Sequence, residues 1–333
     1  MDNFRAFRIH SENDQIVARV EDIGLDDLND GEVVIKCAWS CVNYKDALAA
    51  TGAGRILRTY PLVGGIDVAG TVISSTDDRY KPGDEVVVTS AGLSETRDGG
   101  YAEYARLAGD SVIPLAEGFT TRDAMALGTA GFTAALAVHR MEQNGQQPAN
   151  GPIAVSGATG GVGSVAIDVL AGRGYEVHAI TNKGAQTDAV DYLKGLGAAE
   201  VIVPADIDFG TRPLEKAIWA GAVDNLGGDM LGWFTRTTLY GGNIASIGLA
   251  ASHKLETTVM PFILRGVNLL GINAVDTPRD LRLEVWGRLA TDLKPQRLER
   301  IVNGEVSLDG LADCMQDWLD GKVTGRKLVK PSG

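Results

Sequence analysis

The sequence predicts an α/β protein in which a doubly wound, six-stranded parallel sheet is inserted in a mainly antiparallel, β-rich domain. Three observations predict it: a glycine-rich turn at 155–163, alternating strand-like and helix-like segments from there to 275, and β-rich segments at both ends of the chain. A chain of 333 residues is long enough for about two domains. We expect the β-rich domain over 1–122 plus 276–333 and the domain of the parallel sheet over 123–275.

The glycine-rich turn lies between a predicted strand and a predicted helix. The stretch VSGATGGVGSVAIDVL (155–170) follows the apolar residues 153–155, and its later apolar residues recur at helical spacing. Gly161, Gly163 and Ala166 match the dinucleotide pattern G-x-G-x-x-G/A. A strand, a glycine turn and a helix together bring a pyrophosphate to a helix N-terminus, so the segment predicts a Rossmann-type dinucleotide site.

The segments after this turn support that interpretation. Further strands are expected at 175–181, 200–203, 222–227, 241–248 and 267–275, with helices at 187–198 and 229–239. Six strands with intervening helices are typical of a doubly wound parallel sheet.

The chain ends have a different pattern. The segments EVVIKCAWS, DVAGTVISS, DEVVVTS and YAEYARL lie before residue 120 and have little helical periodicity. Near the C-terminus, LDGLADCMQDWLDGK predicts an amphipathic helix and RKLVK a strand. Both ends are therefore expected to form one β-rich domain.

The composition excludes several function classes. A net charge of −12 disfavours nucleic acid or an anionic membrane as the main partner. No run of about 18 apolar residues is found, and MDNFRAFRIHSENDQ lacks the apolar core of a signal peptide. Three cysteines give no disulfide framework, which favours a cytoplasmic location.

The choice of dinucleotide depends on the end of the second predicted strand. NAD-binding domains carry an acidic residue about 20 residues after the first glycine. Here that position is Thr181, followed by Asn182 and Lys183, and no acid is present. Two neutral hydrogen-bonding groups and a cation suit a 2′-phosphate, so NADPH is the predicted cofactor. The alternative is that Lys183 is a solvated loop residue.

Several motifs resemble one known family. The order NYKDALAATG (43–52), PLVGGIDVAGTV (61–72), GTAGFTAALAV (128–138) and GATGGVG is similar to the zinc-free, quinone-oxidoreductase-like medium-chain dehydrogenase/reductases. RPLEKAIWAGAVD (212–224), TTVMPFILRGVNLLGI (257–272) and GRKLVK (325–330) resemble the acrylyl-CoA reductase (NADPH) group within them. Lys183 departs from the pattern, because such enzymes often carry Arg after the second strand and another basic residue beyond the third.

The resemblance implies a GroES-like β-rich domain, a homodimer, and a set of site residues. It implies catalytic roles for Tyr44, Asn43 and Arg326. It implies cofactor contacts by Tyr44, Thr159, Gly160, Gly161, Val162, Thr181, Asn182, Lys183, Leu249, Ile263, Asn273 and Arg326. Asp46 is expected to cap the helix that follows Asn43 or to pair locally with Lys45.

No metal is expected. Where zinc alcohol dehydrogenases carry their ligands, this chain has Val42-Asn43-Tyr44 and Gly65-Ile66-Asp67, and its cysteines and histidines are scattered. Reduction of a conjugated C=C bond suits such a site, because hydride transfer to the β-carbon of acrylyl-CoA leaves an enolate that needs only a hydrogen-bond donor.

Two alternatives to an acrylyl-CoA reductase stay open. One is an NADPH-dependent quinone or enone reductase, which needs no CoA site. The other is a non-catalytic NADPH-binding protein with a structural or regulatory role. Arg55 and Arg58 would suit the CoA phosphates, although surface arginines are common.

Overall fold

The computed structural model describes residues 3–332, which form two compact units. Unit 1 is formed by the described chain up to Ala130, by Ala274–Ala290, and by the chain from Ile301 onward. Unit 2 is formed by Gly131–Asn273 and Thr291–Arg300. The domain bounds given above, at 122 and 275, stay a prediction.

The strands and helices are numbered in chain order. The strands are β1 Phe4–Glu12, β2 Gln15–Ile23, β3 Val33–Val42, β4 Leu62–Val63, β5 Asp67–Ser75, β6 Glu85–Thr89, β7 Tyr104–Leu107, β8 Ile113–Pro114, β9 Ile153–Ser156, β10 Val177–Ile180, β11 Glu200–Ile202, β12 Trp219–Asp224, β13 Thr238–Ser246, β14 Asn268–Gly271, β15 Val302–Ser307 and β16 Arg326–Lys330. The α-helices are α1 Tyr44–Thr51, α2 Thr121–Gln143, α3 Gly161–Gly172, α4 Thr187–Gly195, α5 Gly228–Thr237, α6 Met260–Arg265, α7 Arg279–Ala290, α8 Leu298–Ile301 and α9 Leu311–Leu319.

Unit 1 contains two sheets, as the β-rich chain ends predict. One has the order β2-β1-β4, and the other has the order β15-β16-β3-β5-β6-β8, with β7 also paired to β3. All pairs are antiparallel except β15 with β16. Strand β16 pairs with β3 in the register Lys327↔Val42, Leu328↔Cys41. This register brings Arg326, from the far end of the chain, beside the residues that begin α1.

Unit 2 contains the predicted parallel sheet. Its six strands have the order β11-β10-β9-β12-β13-β14, and every pair is parallel. The strand from the glycine-rich motif, β9, is therefore central and is followed outward on one side by the second and third strands of the unit. This is the order of a Rossmann-type sheet. Every residue of β9 and β12 is buried, as expected of central strands covered on both faces.

Helix α2 has a kink that positions part of the site in unit 1. Gly128 has φ 53° and ψ −155°, which no helical residue adopts. The backbone N–H of the next residue, Thr129, therefore points to Asp67 rather than into the helix, at 2.9 Å from Oδ2. The kink thus supplies a hydrogen-bond donor to a buried carboxylate.

Within residues 3–332, no helix is both long enough and apolar enough to cross a membrane.

Candidate functional site

The glycine-rich turn of unit 2 forms an open helix N-terminus. Gly160 precedes α3, and no side chain caps the first N–H groups of this helix. Gly157 has φ 59°, and a Cβ on Gly163 would lie 2.6 Å from the carbonyl oxygen of Gly157. Gly157 suits glycine because of its positive φ, and Gly163 requires glycine because the turn leaves no room for a Cβ. Uncapped N–H groups and the helix dipole together favour an anion at this end of α3.

A buried hydrogen-bond network holds the ends of the two central strands together. Ser156 Oγ donates to Asp224 Oδ1 at 2.7 Å, and the backbone N–H of Gly227 donates to Asp224 Oδ2 at 2.8 Å. Asn225 Nδ2 donates to the carbonyl oxygen of Ser156 at 2.7 Å. Burial raises the pKa of the Asp224 carboxyl, and the hydrogen bonds from Ser156 and Gly227 offset part of that rise. The network fixes the sheet edge from which the glycine turn departs.

The predicted residues at the end of β10 lie beside this turn. Thr159 Oγ1 and Thr181 Oγ1 are 3.5 Å apart, and both side chains are buried. Thr181 Oγ1 also accepts the backbone N–H of Lys183 at 3.2 Å. Asn182 is exposed and Lys183 is half-buried. Burial lowers the pKa of the Lys183 ammonium group, so an anion close to it would favour its charged form.

The remaining predicted cofactor residues of unit 2 lie on several elements. Leu249 and Asn273 follow β13 and β14, so they lie toward the carboxyl edge of the parallel sheet, as do Gly160, Gly161 and Val162. Ile263 lies on helix α6, with its side chain 70% exposed.

In unit 1, the carboxylate of Asp67 is the centre of a buried polar cluster. Its Oδ2 accepts hydrogen bonds from Cys41 Sγ at 3.1 Å, Asn43 Nδ2 at 2.8 Å and the Thr129 N–H at 2.9 Å. Its Oδ1 accepts the Thr129 hydroxyl at 2.5 Å. Asp67 is fully buried. A buried carboxylate needs such compensation, because its desolvation is costly.

Arg326 supplies the countercharge in this cluster. Its Nη2 lies 3.8 Å from Asp67 Oδ2 and 2.7 Å from Cys41 Sγ, and its Nη1 donates to Asn43 Oδ1 at 2.9 Å. The Arg326 side chain is only 1% exposed. The guanidinium group is therefore engaged inside unit 1.

Asn43 and Asp46 form the start of helix α1. Asp46 Oδ2 accepts the Asn43 backbone N–H at 2.8 Å, and Asp46 Oδ1 accepts the Ile66 N–H at 3.0 Å. The predicted cap by Asp46 is confirmed, whereas its pairing with Lys45 is wrong. Lys45 Nζ contacts Glu95 Oε1 at 2.6 Å instead, because Asp46 points inward to satisfy buried donors.

Burial changes the pKa of two acidic groups in this cluster. It raises the pKa of Asp46 to about 6, and the charge of Asp67 adds to the effect. It also raises the pKa of the Cys41 thiol well above its ordinary value. Cys41 thus stays a thiol, which donates to Asp67 and accepts from Arg326.

Tyr44 follows the cluster directly. It is the first residue of α1, its side chain is 44% exposed, and its phenol makes no hydrogen bond to any residue in 3–332. In the same part of the chain, no three His, Cys, Asp or Glu side chains are grouped as metal ligands.

Comparisons with known proteins agree with these features. The alcohol dehydrogenase GroES-like domain matches residues 29–117. The chain is 48% identical to “Putative quinone oxidoreductase YhfP” of Bacillus subtilis, covering 98% of each chain, and 46% identical to acrylyl-CoA reductase AcuI of Ruegeria pomeroyi, covering 96% of each. A crystal structure of Escherichia coli K-12 YhdH with bound NADPH superimposes with a TM-score of 0.93 at 41% identity, covering 98% of this chain and 100% of that one.

The chain belongs to the quinone-oxidoreductase-like medium-chain dehydrogenase/reductase family that contains YhfP and AcuI. The resemblance seen in the sequence is confirmed, and so is the predicted fold class.

The sequence patterns did not mark Asp67, Cys41 and Thr129 as parts of the candidate site. One signal could have found Asp67: it is an acid within an apolar strand-like segment, next to Ile66 and Val68. A charge at such a position needs a buried partner. No comparable signal marks Thr129, because its role depends on the kink at Gly128.

We expect Gly128→Ala to destabilise the protein strongly. The Cβ would lie 2.6 Å from Arg326 Nη2 and Cys41 Sγ and 2.7 Å from Asp67 Oδ2, and the backbone conformation is available only to glycine. Strain and steric overlap together should lower the free energy of unfolding by about 3–5 kcal/mol. Urea unfolding followed by circular dichroism measures it.

Gly145→Ala is the matched control, because Gly145 also has a positive φ, of 80°, but has no atom near its Cβ position. It should cost only about 1 kcal/mol. Equal losses in the two variants would show that the polar cluster does not require glycine at 128.

Proposed function

We propose that the protein catalyses the NADPH-dependent reduction of the C=C bond of acrylyl-CoA to propionyl-CoA. The observation that carries the proposal is the 46% identity to acrylyl-CoA reductase AcuI over 96% of both chains. The relatives solved with NADP or NADPH, at 41% identity and a TM-score of 0.93, support NADPH as the cofactor. A relative from Bacillus subtilis was solved with NAD, at 47% identity.

The residues of unit 2 fit NADPH. The open N-terminus of α3 suits a pyrophosphate, and Gly163 leaves room where a Cβ would fill the turn. Thr181, Asn182 and Lys183 offer neutral donors and one cation for a 2′-phosphate, and Thr159, Gly160, Gly161 and Val162 line the turn itself. We propose that Leu249 and Asn273 also contact NADPH at this edge of the sheet. NADPH, when bound, supplies the hydride that reduces the β-carbon of the substrate.

In unit 1, we propose that Tyr44 is the catalytic residue. Its exposed phenol is available to donate a hydrogen bond to the oxygen of the thioester, where negative charge develops during reduction. We propose that Asn43 and Arg326 are positioning residues, because their polar groups are already engaged. Asn43 donates to Asp46 and Asp67, and Arg326 donates to Asn43. They hold the first turn of α1, and with it Tyr44, in one orientation.

The chemistry of the cluster supports a metal-independent reaction. A cysteine binds zinc as a thiolate, whereas burial raises the pKa of the Cys41 thiol, and its Sγ donates to Asp67 and accepts from Arg326.

The substrate assignment predicts that acrylyl-CoA is reduced with about ten- to a hundredfold higher kcat/KM than crotonyl-CoA, because an extra β-methyl group must fit the same site. NADPH oxidation followed at fixed enzyme concentration measures this. A quinone reduced as efficiently as acrylyl-CoA would favour the alternative, a quinone reductase, and no turnover with either would favour a non-catalytic role.

Tyr44→Phe should lower kcat more than it weakens NADPH binding.

The cofactor assignment predicts that NADPH binds at least about tenfold more tightly than NADH and that Lys183→Glu removes this preference. One charge-assisted hydrogen bond contributes about 1.5–3 kcal/mol. Titration of intrinsic fluorescence with each cofactor gives the dissociation constants. Lys194→Glu, an equal charge change at an exposed site on α4, is the control and should keep the preference. Equal dissociation constants in the unaltered protein would contradict the role of Lys183.

We also propose a cytoplasmic homodimer. Cys37, Cys41 and Cys314 are all free thiols, which suits a reducing compartment. Among the described strands, β14 ends the parallel sheet and offers an open edge. Exposed apolar side chains lie on this strand, on its neighbour β13 and on helix α6: Leu269, Tyr240, Ile263 and Leu264. A second copy would cover them.

Light scattering should give twice the chain mass for the unaltered protein and a large monomer fraction for Leu269→Asp. Leu283→Asp, at a position of similar exposure on α7, is the matched control and should stay dimeric. A monomeric unaltered protein would exclude the homodimer.

A further inference from the structure

Unit 1 contains an open cavity of about 720 Å³ that the proposed chemistry does not use. Four of the side chains that line it are arginines: Arg58, Arg97, Arg279 and Arg282. Such a concentration of cations stands out in a chain of net charge −12. The volume is that of a site for a ligand of drug or nucleotide size and far exceeds the need of a single inorganic anion.

The carboxylates at this cavity have partners of their own. Glu95 pairs with Lys45 Nζ at 2.6 Å, and Asp110 pairs with Arg79 Nη2 at 2.7 Å. The charge of Asp276 acts on Arg282. These three carboxylates are thus engaged with Lys45, Arg79 and Arg282. The remaining arginines of the lining give the cavity a surplus of positive charge.

Two of the arginines have a structural role. Arg282 is buried, and its Nη1 donates to the Thr89 carbonyl oxygen at 2.8 Å. Arg279 Nη2 donates to the Tyr80 hydroxyl at 2.7 Å, and its Nη1 donates to backbone carbonyl oxygens of the segment 109–112. These bonds fix one wall of the cavity, and both guanidinium groups keep their positive charge.

Arg58 and Arg97 have no such role. Both are exposed, and within residues 3–332 neither side chain forms a hydrogen bond or an ion pair. Guanidinium groups of this kind bind phosphate oxygens through two parallel hydrogen bonds. Small apolar groups from Ala91, Ala108 and Val275 line the same cavity and suit a planar base.

The cavity is linked to the cluster around Asp67 and to helix α1. Ser90, which precedes the lining residue Ala91, is bonded through its hydroxyl to Thr129 at 2.9 Å, and Thr129 donates to Asp67. Lys45, next to Tyr44, holds the lining residue Glu95. Ser90 and Ala91 both have positive φ, of 56° and 52°, so this wall keeps a backbone shape that residues with side chains rarely adopt.

We propose that this cavity binds the phosphorylated adenosine end of the acyl-CoA substrate, with Arg58 and Arg97 contacting its phosphates. The inference rests on the proposed function and adds the residues that distinguish a CoA thioester from a simple enone. Arg55, the other arginine of the segment GRILRTYP, does not line the cavity.

The test is calorimetric titration of the full-length protein with 3′-phosphoadenosine 5′-phosphate, in saturating NADP⁺ so that the 2′-phosphate site of unit 2 is occupied. The double variant Arg58→Ala/Arg97→Ala should weaken binding about tenfold to a hundredfold. It should raise the KM for acrylyl-CoA relative to the KM for acrylyl-pantetheine by a similar factor. Arg55→Ala is the matched control and should bind like the unaltered protein.

Unchanged binding in the double variant would overturn the proposal, as would an equal loss in Arg55→Ala. Inorganic phosphate bound as tightly as the adenosine probe would also overturn it, because the cavity would then be a site for small anions. Binding that depends on Arg58 and Arg97 in a protein that does not reduce acrylyl-CoA would refute the proposed function and support the nucleotide site. Reduction of acrylyl-CoA with no effect of the double variant would do the reverse.

Discussion

The fully buried carboxylate of Asp67 is the constraint on which the architecture of unit 1 depends. A charge in that position has to be compensated, and the compensation comes from four separate parts of the chain: β3 with Cys41, the start of α1 with Asn43, the kink of α2 with Thr129, and β16 with Arg326. The kink of α2 at Gly128 and the pairing of β16 with β3 bring two of these partners to Asp67. The cluster also fixes the first turn of α1, which presents Tyr44 at the surface.

Among the described residues of unit 2, no buried ion pair positions the glycine-rich turn. There the position of the glycine turn follows from parallel strands whose carboxyl ends share one edge, and from the bonds between Ser156, Asp224 and Asn225. The site for an anion is made from backbone N–H groups of α3. In the proposed function, unit 1 therefore contributes side-chain chemistry, whereas unit 2 contributes backbone geometry and the cation of Lys183.

Local sequence patterns predicted most of the fold and only part of the candidate site. Buried parallel strands are short apolar segments, and glycine turns separate them from helices, so all six strands of unit 2 could be recognised. Strand β12 begins at Trp219, before the predicted 222, and β14 ends at Gly271, before the predicted 275. The cluster around Asp67 could not be assembled in this way, because its members are distant in sequence and only strand register and one helix kink bring them together. The pairing of Lys45 with Glu95 was missed for the same reason.

The position of Arg326 in the sequence also bears on the order of folding during synthesis. The chain that forms most of unit 2, Gly131–Asn273, is made after Asp67 but before Arg326. Until the ribosome has added β16, the carboxylate of Asp67 on β5 lacks Arg326, and the residues Ser40–Val42 of β3 lack their partner strand. The parallel sheet can form during this interval, since it needs no residue beyond Gly271. The order of synthesis thus favours completion of the nucleotide-binding sheet before the polar cluster that holds Tyr44.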